Sequence, residues 1–573
     1  MRIKHSLAAF AAPILLLLIA FSAQAKTDLI YVGNMMTEEP DYPSRHPPAA
    51  APQIGPGAVI TVTTTDTAVN PGDTFCSLIE ALENANADSD ASGGDCPAGA
   101  GPDTIELGMG EVYTLTAVYS TTTFGPNGLP TITSTIALNG HGSTIVRSTA
   151  GATPEFRILF IGGGNLMLSE ATVSNGLVDG FSGGGILNQD GTLTLNNSAV
   201  RDNEAINASG GGIASRAVST DAATTINDSD ILSNTAETSG GGLYLVGGSN
   251  LTATLVVSNS QVSYNHANAD AGGIRSTRFS GSTNHLIQVN ILGSEVSHNT
   301  AAAYPGGGGM IINYSEMLLA DSLVSDNRVE VGAVSVVGGG IVNGFSDITI
   351  LRSTIRDNVV ASAGGPFQSG GGGVFNTDGT MLIVNSTIGG NQANLTASGG
   401  ALLVGNHFGN SPSIVTIINS TINGNSTDTS AGAVATLDLG TGQPVVINFS
   451  NTIVSNNPAP DSTNCVAAPG TTISSTGYNL EDLDTCNFNQ PTDLINTNPL
   501  LGLLQDNGGP TWTYALLDGS PAIDAADNAV CAAPPVNGVD QRGVARPYGP
   551  SCDIGAFELE YVDFKIFLPI VLK

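Results

Sequence analysis

The stretch Met381-Leu-Ile-Val-Asn-Ser-Thr-Ile-Gly-Gly-Asn391 decides the fold of this 573-residue chain. It is one copy of the phrase apolar-x-apolar-x-(Asn/Asp)-Ser-x-(Val/Ile)-x-x-Asn, which recurs along most of the sequence. Self-similarity at a spacing of about 30 residues is the signature of a repeat architecture. The copies end at Asn203, Asn234, Asn265, Asn299, Asn327, Asn358, Asn391, Asn425 and Asn456.

Each repeat is predicted to hold three short strands: one opened by Gly-Gly-Gly, one over the apolar lead-in and one over Ser-x-(Val/Ile). Alternation with period two places the apolar residues on one face and Ser, Thr and Asn on the other. The closing Asn is assigned to a corner, because Asn tolerates the left-handed region and stacked amides can form a ladder. Such short segments in constant order stack coil on coil. The sequence therefore predicts an all-β fold, a right-handed three-faced parallel β-helix solenoid.

The two ends of the chain lack the repeat. Residues 1–25 are typical of a secretory signal peptide, although an uncleaved anchor is the alternative. Residues 26–57 form a Pro-rich linker, and residues 58–102 form an N-terminal strand and capping helix, where Ser77 and Glu80 match a capping box. The β-helix is assigned to 103–457, a small C-terminal domain to 458–560, and an apolar tail to 561–573. The tail is either a terminal sorting or docking strand or a final strand that packs on the last domain.

All six cysteines lie outside the repeats. Six cysteines allow 15 pairings, and pairing between sequence neighbours is the economical choice if the protein is exported. A metal site would need Cys-x-x-Cys or nearby His, which these cysteines lack. The predicted disulfides are Cys76–Cys96, Cys465–Cys486 and Cys531–Cys552.

The formal net charge is −32, with 49 acidic residues against 17 basic ones. Nucleic acid and anionic membranes are poor partners for so acidic a chain. We expect no membrane span in the mature chain, and the partners favoured are cations, an extracellular glycan or a cell-envelope component. The oligomeric state is left open.

Two segments resemble a known group of exported bacterial β-helix proteins. Cys76-Ser-Leu-Ile-Glu-Ala-Leu82 is similar to their CSLREA-type N-terminal segment, with Ile79 where that pattern has Arg. The C-terminal run resembles their choice-of-anchor Q domain. This resemblance implies a pectate-lyase-like fold, a secreted or cell-surface location and a C-terminal module linked to surface retention; it implies no activity. The C-terminal match rests on Gly477-Tyr-Asn-Leu480, Asn498-Pro-Leu-Leu-Gly-Leu-Leu-Gln-Asp-Asn-Gly-Gly-Pro-Thr-Trp-Thr-Tyr-Ala-Leu-Leu517, Gly519-Ser-Pro-Ala-Ile-Asp524, Asp540-Gln-Arg-Gly543 and Cys552-Asp-Ile-Gly-Ala-Phe-Glu558.

One constellation is a candidate for chemistry. The position before the closing Asn holds His298, Asp326 and Asp357 in three consecutive coils. Stacking would set neighbours about 5 Å apart, which suits paired catalytic carboxylates or a Ca²⁺ site with Asp326 and Asp357 as ligands. The same column also holds Tyr264 and Gly390, so ordinary turn chemistry is the competing interpretation. Apart from this calcium, no cofactor is expected.

Other fragments are weaker. Gly140-His-Gly142 and Asn376-Thr-Asp378 resemble pieces of polygalacturonase motifs but occur in the reverse order. Arg201 and Arg356 share a coil position five coils apart, too far to form one site. Two functions follow. The first is a non-catalytic, adhesin-like or glycan-contacting surface scaffold, and the alternative is a polysaccharide lyase or glycoside hydrolase acting on extracellular glycans.

Overall fold

The computed structural model describes residues 57–279, 287–303, 305–332, 336–362, 369–406 and 411–560. The predicted signal peptide 1–25, all but the last residue of the predicted linker 26–57, and the tail 561–573 lie outside the described residues. Within these ranges, none of the helices has the length and apolar character needed to cross a membrane.

The chain is an all-β parallel solenoid, as predicted. Equivalent strands of successive coils pair in register, so that Val200 lies beside Ile231 and Ile231 beside Val262. These apolar side chains are fully buried and line one continuous core. Three parallel sheets of 25, 11 and 9 strands run along the solenoid, and we call them the first, second and third sheets.

The first sheet carries two strands per coil, which meet at a bend; two long strands, Thr135–Arg147 and Asn165–Ser174, run through both columns. The lead-in column continues over Val59–Thr61, Asp103–Glu106, Thr192–Asn196, Ala222–Asn227, Ala253–Ser258, Ile287–Leu292, Ser315–Ala320, Asp347–Leu351, Thr380–Val384, Ser413–Ile418, Val445–Ser450 and Thr472–Ser475. The Ser column continues over Val112–Leu115, Ala199–Arg201, Asp230–Leu232, Gln261–Ser263, Glu295–Ser297, Leu323–Ser325, Thr354–Arg356, Thr387–Gly389, Thr421–Asn423, Ile453–Ser455 and Leu480–Glu481.

The second sheet includes the strands that follow the glycine triplets. Its strands are Leu159–Gly162, Ile186–Gln189, Ile213–Arg216, Leu243–Gly247, Ile274–Arg278, Met310–Asn313, Ile341–Gly344, Val374–Thr377, Leu402–Asn406, Val434–Asp438 and Cys465–Val466. The third sheet holds Leu177–Asp179, Glu204–Ile206, Thr235–Ala236, His266–Ala267, Thr300–Ala301, Arg328–Gly332, Val359–Ser362, Gln392–Leu395 and Ser426–Thr427.

Three short pairs and two helices complete the described chain. Ser369–Gly370 pairs with Ala397–Ser398 in parallel, whereas Ser120–Thr122 pairs with Gly125–Asn127 and Leu501–Gln505 with Thr513–Leu516 in antiparallel fashion. The helices are Leu78–Ala87 and Asn528–Ala532.

Each regular coil thus has four strands, not the three that the sequence pattern named. The strand that was missed follows the closing Asn and forms the third sheet. In several coils it has only two residues, as in Thr235–Ala236, with a single small side chain facing the core. So short a segment shows no alternation, and period-two analysis cannot detect it.

The predicted amide ladder is present and runs through the core. The Nδ2 of Asn391 donates to Asn425 Oδ1 at 2.9 Å and to the Ile355 carbonyl at 2.9 Å. Its Oδ1 in turn accepts from the Nδ2 of Asn358 at 2.9 Å. The same contacts repeat from Asn203 onward.

The predicted last member, Asn456, is wrong, because the ladder continues to Asn457. Asn425 Nδ2 donates to Asn457 Oδ1 at 2.9 Å. Asn456 is an exposed turn residue with φ 49°. The pattern slipped by one residue because this copy has Thr452 in place of Ser and ends in two consecutive Asn.

Two details of the predicted corner are also wrong. The left-handed residue is the one before the closing Asn, as with Asp357 at φ 55°, and another precedes the Ser, as with Asn385 at φ 47°. The Ser and closing Asn face inward and are buried. Both bends carry main-chain N–H groups that no strand partner satisfies, and buried side-chain oxygens accept from them. Ser353 N, for example, donates to Ser386 Oγ at 3.2 Å.

The glycine triplets make room for the ladder. A Cβ on Gly373 would lie 3.1 Å from Asn391 Cγ and 2.8 Å from the Ala401 carbonyl oxygen. The last glycine of each triplet therefore packs directly against a ladder amide. Ala401 and Ala433 take its place before the strands Leu402–Asn406 and Val434–Asp438, and both are fully buried.

The N-terminal end of the solenoid is closed as predicted. Ser77 and Glu80 form a capping box at the start of helix Leu78–Ala87. Leu82 and Ala85 on this helix belong to the same core as Ile60 of the first strand. All three predicted disulfides are formed: Cys76–Cys96, Cys465–Cys486 and Cys531–Cys552.

Beyond the last coil, residues 501–560 fold back along the outside of the Ser column; we call them the C-terminal segment. They cover the coils whose Ser-column strands run from Thr354–Arg356 to Ile453–Ser455, which we call the covered flank. The coils from Ala199–Arg201 to Leu323–Ser325 form the open flank. Direct bonds hold the segment in place, including Ala556 N to Thr421 Oγ1 at 3.0 Å and Gly555 N to the Asn451 carbonyl at 2.8 Å.

Candidate functional site

The predicted column begins as an aromatic stack on the open flank. Tyr264 and His298 occupy the left-handed turn before successive ladder Asn, with φ 58° and 55°. Their rings stack at 4.7 Å with 23° between the planes. Tyr264 is 60% exposed, so this stack presents a flat surface to solvent.

Asp326 and Asp357 occupy the next two turns, and one guanidinium joins them. Arg356 Nη1 lies 2.5 Å from Asp357 Oδ2 and 3.6 Å from Asp326 Oδ2. Both carboxylates are partly exposed, whereas the Arg356 side chain is 18% exposed. The structure therefore brings the two predicted carboxylates together around Arg356, which the repeat pattern did not assign to this site.

Arg356 is itself held by the C-terminal segment. Its guanidinium lies over the Trp512 ring, 4.6 Å from the ring centroid. In the same strand Thr354 Oγ1 donates to the Trp512 carbonyl at 2.7 Å. Trp512 was missed because it lies far from Asp357 in sequence, although its being the only Trp in the chain is a signal that could have been used. The column thus meets the boundary between the open and covered flanks.

The predicted calcium site has two carboxylate ligands, Asp326 and Asp357. Among the described residues no group of three or more His, Cys, Asp or Glu is arranged to hold a metal ion. Both carboxylates already form ion pairs with Arg356. Their role as calcium ligands stays a prediction.

The other fragments do not meet in one place. His141 Nε2 lies 2.7 Å from Glu106 Oε2 in the early coils. Asn376 is a buried strand residue whose Nδ2 donates to the Gly379 carbonyl at 3.1 Å, within its own turn. Arg201 pairs with Asp202 at 2.7 Å, repeating five coils earlier the relation of Arg356 to Asp357.

The motif residues of the C-terminal segment bind the solenoid. Gln541 is fully buried, and its Nε2 donates to Thr354 Oγ1 at 2.9 Å and to Thr511 Oγ1 at 2.8 Å. Its Oε1 accepts from Thr387 Oγ1 at 2.6 Å. The Asp540-Gln-Arg-Gly543 motif therefore supplies a link between the segment and two coils.

A buried ion cluster supports this motif from inside the segment. Arg542 pairs with Asp540 at 2.9 Å, and Arg546 Nε lies 3.6 Å from Glu558 Oε2. Burial raises the pKa of the Glu558 carboxyl to about 6 and raises that of Asp553. Burial also lowers the pKa of the Arg546 guanidinium. These shifts follow from desolvation of charged groups in a small folded unit.

No protein family and no curated protein matches this sequence. Among solved structures, the chain is similar to a crystal structure of the pectate lyase Pel9A, at 14% sequence identity and a TM-score of 0.35. That similarity covers 87% of this chain and 96% of the other.

Proposed function

We propose that this protein is a secreted or cell-surface β-helix that acts as a non-catalytic, glycan-contacting scaffold. Residues 458–560 serve as a choice-of-anchor Q-like module linked to surface retention, behind a CSLREA-type N-terminal segment. The signal-like residues 1–25, the motifs of the two ends and three disulfides support this proposal.

The observation that carries the proposal is that Arg356 links the candidate carboxylates to the C-terminal segment. Asp326 and Asp357 share Arg356, and Arg356 stacks on Trp512. The two carboxylates therefore take part in a structural contact between solenoid and segment. A glycosidase pair instead flanks a scissile bond, with one carboxyl free to deliver a proton. The exposed Tyr264 ring beside this cluster offers an apolar face of the kind that sugar rings stack on.

The test uses the mature protein with a panel of pectins and other plant and microbial glycans, with and without Ca²⁺. We expect binding on a glycan array and no release of unsaturated or reducing ends. Release that disappears in Asp326→Ala or Asp357→Ala would instead establish a lyase or hydrolase. Asp202→Ala is the matched control, because Asp202 has the same turn position and the same arginine contact on the open flank.

Export is tested separately. The full chain is produced in a secreting bacterial host, and the N-terminus of the recovered protein is sequenced. We expect Lys26 at that N-terminus, after cleavage behind Ala25. Retention of Met1 in the cell-associated fraction would favour the anchor alternative.

A further inference from the structure

A shallow depression of about 370 Å³ lies on the outer surface of the solenoid, where the second and third sheets adjoin. It is distant in sequence from the C-terminal segment and shares no residue with the column at His298. Side chains from several coils line it, including Arg216, Tyr244, Arg278, Phe279, Ser209 and Thr238.

The arginines of this depression differ from their counterparts elsewhere. Arg352, for example, donates two hydrogen bonds of 2.8 Å to the Asp321 carboxylate. Across the described ranges neither Arg216 nor Arg278 forms an ion pair or a side-chain hydrogen bond. In a chain with 49 acidic residues, two guanidiniums that lack a carboxylate partner and line one depression form a local positive site.

Aromatic rings position both guanidiniums. Arg278 lies over the Tyr314 ring at 3.7 Å from the centroid, and Arg216 lies over Phe279 at 5.5 Å. Stacking occupies the face of a guanidinium and leaves its planar fork of N–H donors free at the edge. That fork matches the geometry of a carboxylate or a sulfate.

A third arginine adds positive charge beneath the surface. Arg157 is fully buried and bonds the Ser182 carbonyl, at 3.1 Å, and Asn127 Oδ1, at 2.8 Å. Burial, with Arg216 nearby, lowers the pKa of Arg157 to about 9, so it remains cationic at neutral pH. Its partners are neutral oxygens, and Ser182 lines the depression.

The rest of the lining suits a sugar ring. Tyr244 and Phe279 are only partly buried and offer ring surface. Ser209 and Thr238 share a hydrogen bond of 2.6 Å and can bond further hydroxyls. Asn207 at the rim bonds Glu237 and Asp179, which places acceptors for sugar hydroxyls beside the basic part of the depression.

We infer that this depression binds a sugar carrying a single oxyanion, a uronate carboxylate or a sulfate ester. Arg216 and Arg278 bind the oxyanion, Tyr244 and Phe279 contact the ring, and Ser209 and Thr238 bond its hydroxyls. A net charge of −32 opposes a dense polyanion but not one oxyanion at a local positive site. This inference rests on the proposed function in taking the ligand to be a glycan, and it adds the site and the ligand class.

The experiment measures binding of the full chain to three glucose trisaccharides by calorimetry: one in which a single unit is a glucuronate, one in which a single unit carries a 6-sulfate, and one that is neutral. We expect an anionic trisaccharide to bind at least tenfold more tightly than the neutral one, with affinity falling as salt rises. Arg216→Gln and Arg278→Gln should each weaken that binding about tenfold or more, the order of one lost charge-assisted contact. Arg328→Gln is the matched control, since it removes the same charge from an exposed arginine outside the depression.

The carboxylate and sulfate arms decide which oxyanion is recognised. Equal affinity for neutral and anionic trisaccharides would overturn the inference, as would equal losses in all three arginine variants. Neutral-glycan binding that survives in Arg216→Gln would overturn the site while leaving the scaffold proposal intact. If none of the three trisaccharides binds, the inference fails, and binding on the glycan array still tests the scaffold proposal independently.

Discussion

The open and covered flanks share one interior and differ outside. In both, the Ser, the Ile or Val and the closing Asn of the Ser column are buried. The outward residue that begins each strand is Ala199, Asp230, Gln261, Glu295 or Leu323 on the open flank, all at least partly exposed. On the covered flank it is Thr354, Thr387, Thr421 or Ile453, all at most 2% exposed. The interior is set by the repeat, and the outward residue by what lies against it.

Threonine suits the covered flank for a physical reason. Its hydroxyl can donate and accept at once, as Thr354 does between Trp512 and Gln541. Its branched side chain also fits a strand. A charged residue there would lose its water without gaining a partner. The repeated Ser-Thr-Ile therefore marks where the C-terminal segment lies.

The largest expected effect comes from exchanging outward residues between the flanks. Thr387→Asp places a carboxylate against Gln541, and we expect a loss of about 4 kcal/mol in the stability of the covered flank. Hydrogen exchange should rise across the C-terminal segment. Asp230→Thr, the reverse change on the open flank, should stay within about 0.5 kcal/mol. Similar losses for both variants would remove the distinction between the flanks.

The next effect concerns the shared interior. Asn391→Ala removes the bonds that Asn391 Oδ1 accepts from Asn358 N and Nδ2 and the bond that its Nδ2 donates to the Ile355 carbonyl, at a cost of about 3 kcal/mol. Asn234→Ala on the open flank should cost the same, because the ladder contacts are the same. Denaturant unfolding measures both. Asn456→Gly is the control and should be nearly silent; an equal loss there would contradict the assignment of Asn457 to the ladder.

A smaller effect is expected on the stability of the C-terminal segment, with the open flank of the solenoid unaffected. Gln541→Ala removes the bonds to Thr354, Thr387 and Thr511, and we expect about 2 kcal/mol of destabilisation. Protection of the C-terminal segment from hydrogen exchange should fall, while protection of the open flank should stay unchanged. Gln505→Ala, an exposed glutamine of the same segment, is the control. Unchanged exchange in Gln541→Ala would show that other contacts hold the segment.

The smallest effect is a pH dependence of stability that is confined to the C-terminal segment. Glu558 has a pKa of about 6 when folded, raised by burial from 4.5. A raised pKa stabilises the fold fully below about 4.5, and this stability is lost as pH rises through about 6. Asp553, whose pKa is also raised, acts in the same direction. The melting temperature of the segment should therefore fall between pH 4.5 and 6.5, and Glu558→Gln should flatten that fall. An unchanged slope would assign it to other groups.

Much of the fold followed from the sequence because its cause is local. The spacing of Leu193 and Leu195, or of Ile388 before Asn391, reflects burial on one side of a stacked strand. Capping of the first helix by Ser77 and Glu80 was equally predictable, since both partners lie within one turn. The error at Asn456 arose where two consecutive Asn made the register ambiguous.

The candidate site was only half predictable. The column of His298, Asp326 and Asp357 follows from the period, since equivalent positions stack. Its partner Trp512 could not be assigned, because nothing local ties it to Arg356. The arginines at the second-sheet depression escaped notice for a similar reason: Arg216 and Arg278 lie in different coils, at positions that are not equivalent in the repeat.

By itself the sequence determined the parallel β-helix, its amide ladder, its disulfides and its closing helix, because each depends on a repeated or short-range pattern. Tertiary structure alone decided that the Ser and Asn side chains face inward, since that depends on where the backbone bends. It also decided which coils are covered, that Arg356 joins Asp326 to Asp357, and that Arg216 and Arg278 line one depression. Each of these features depends on residues from different coils or from the C-terminal segment, and only the folded path of the chain brings those parts together.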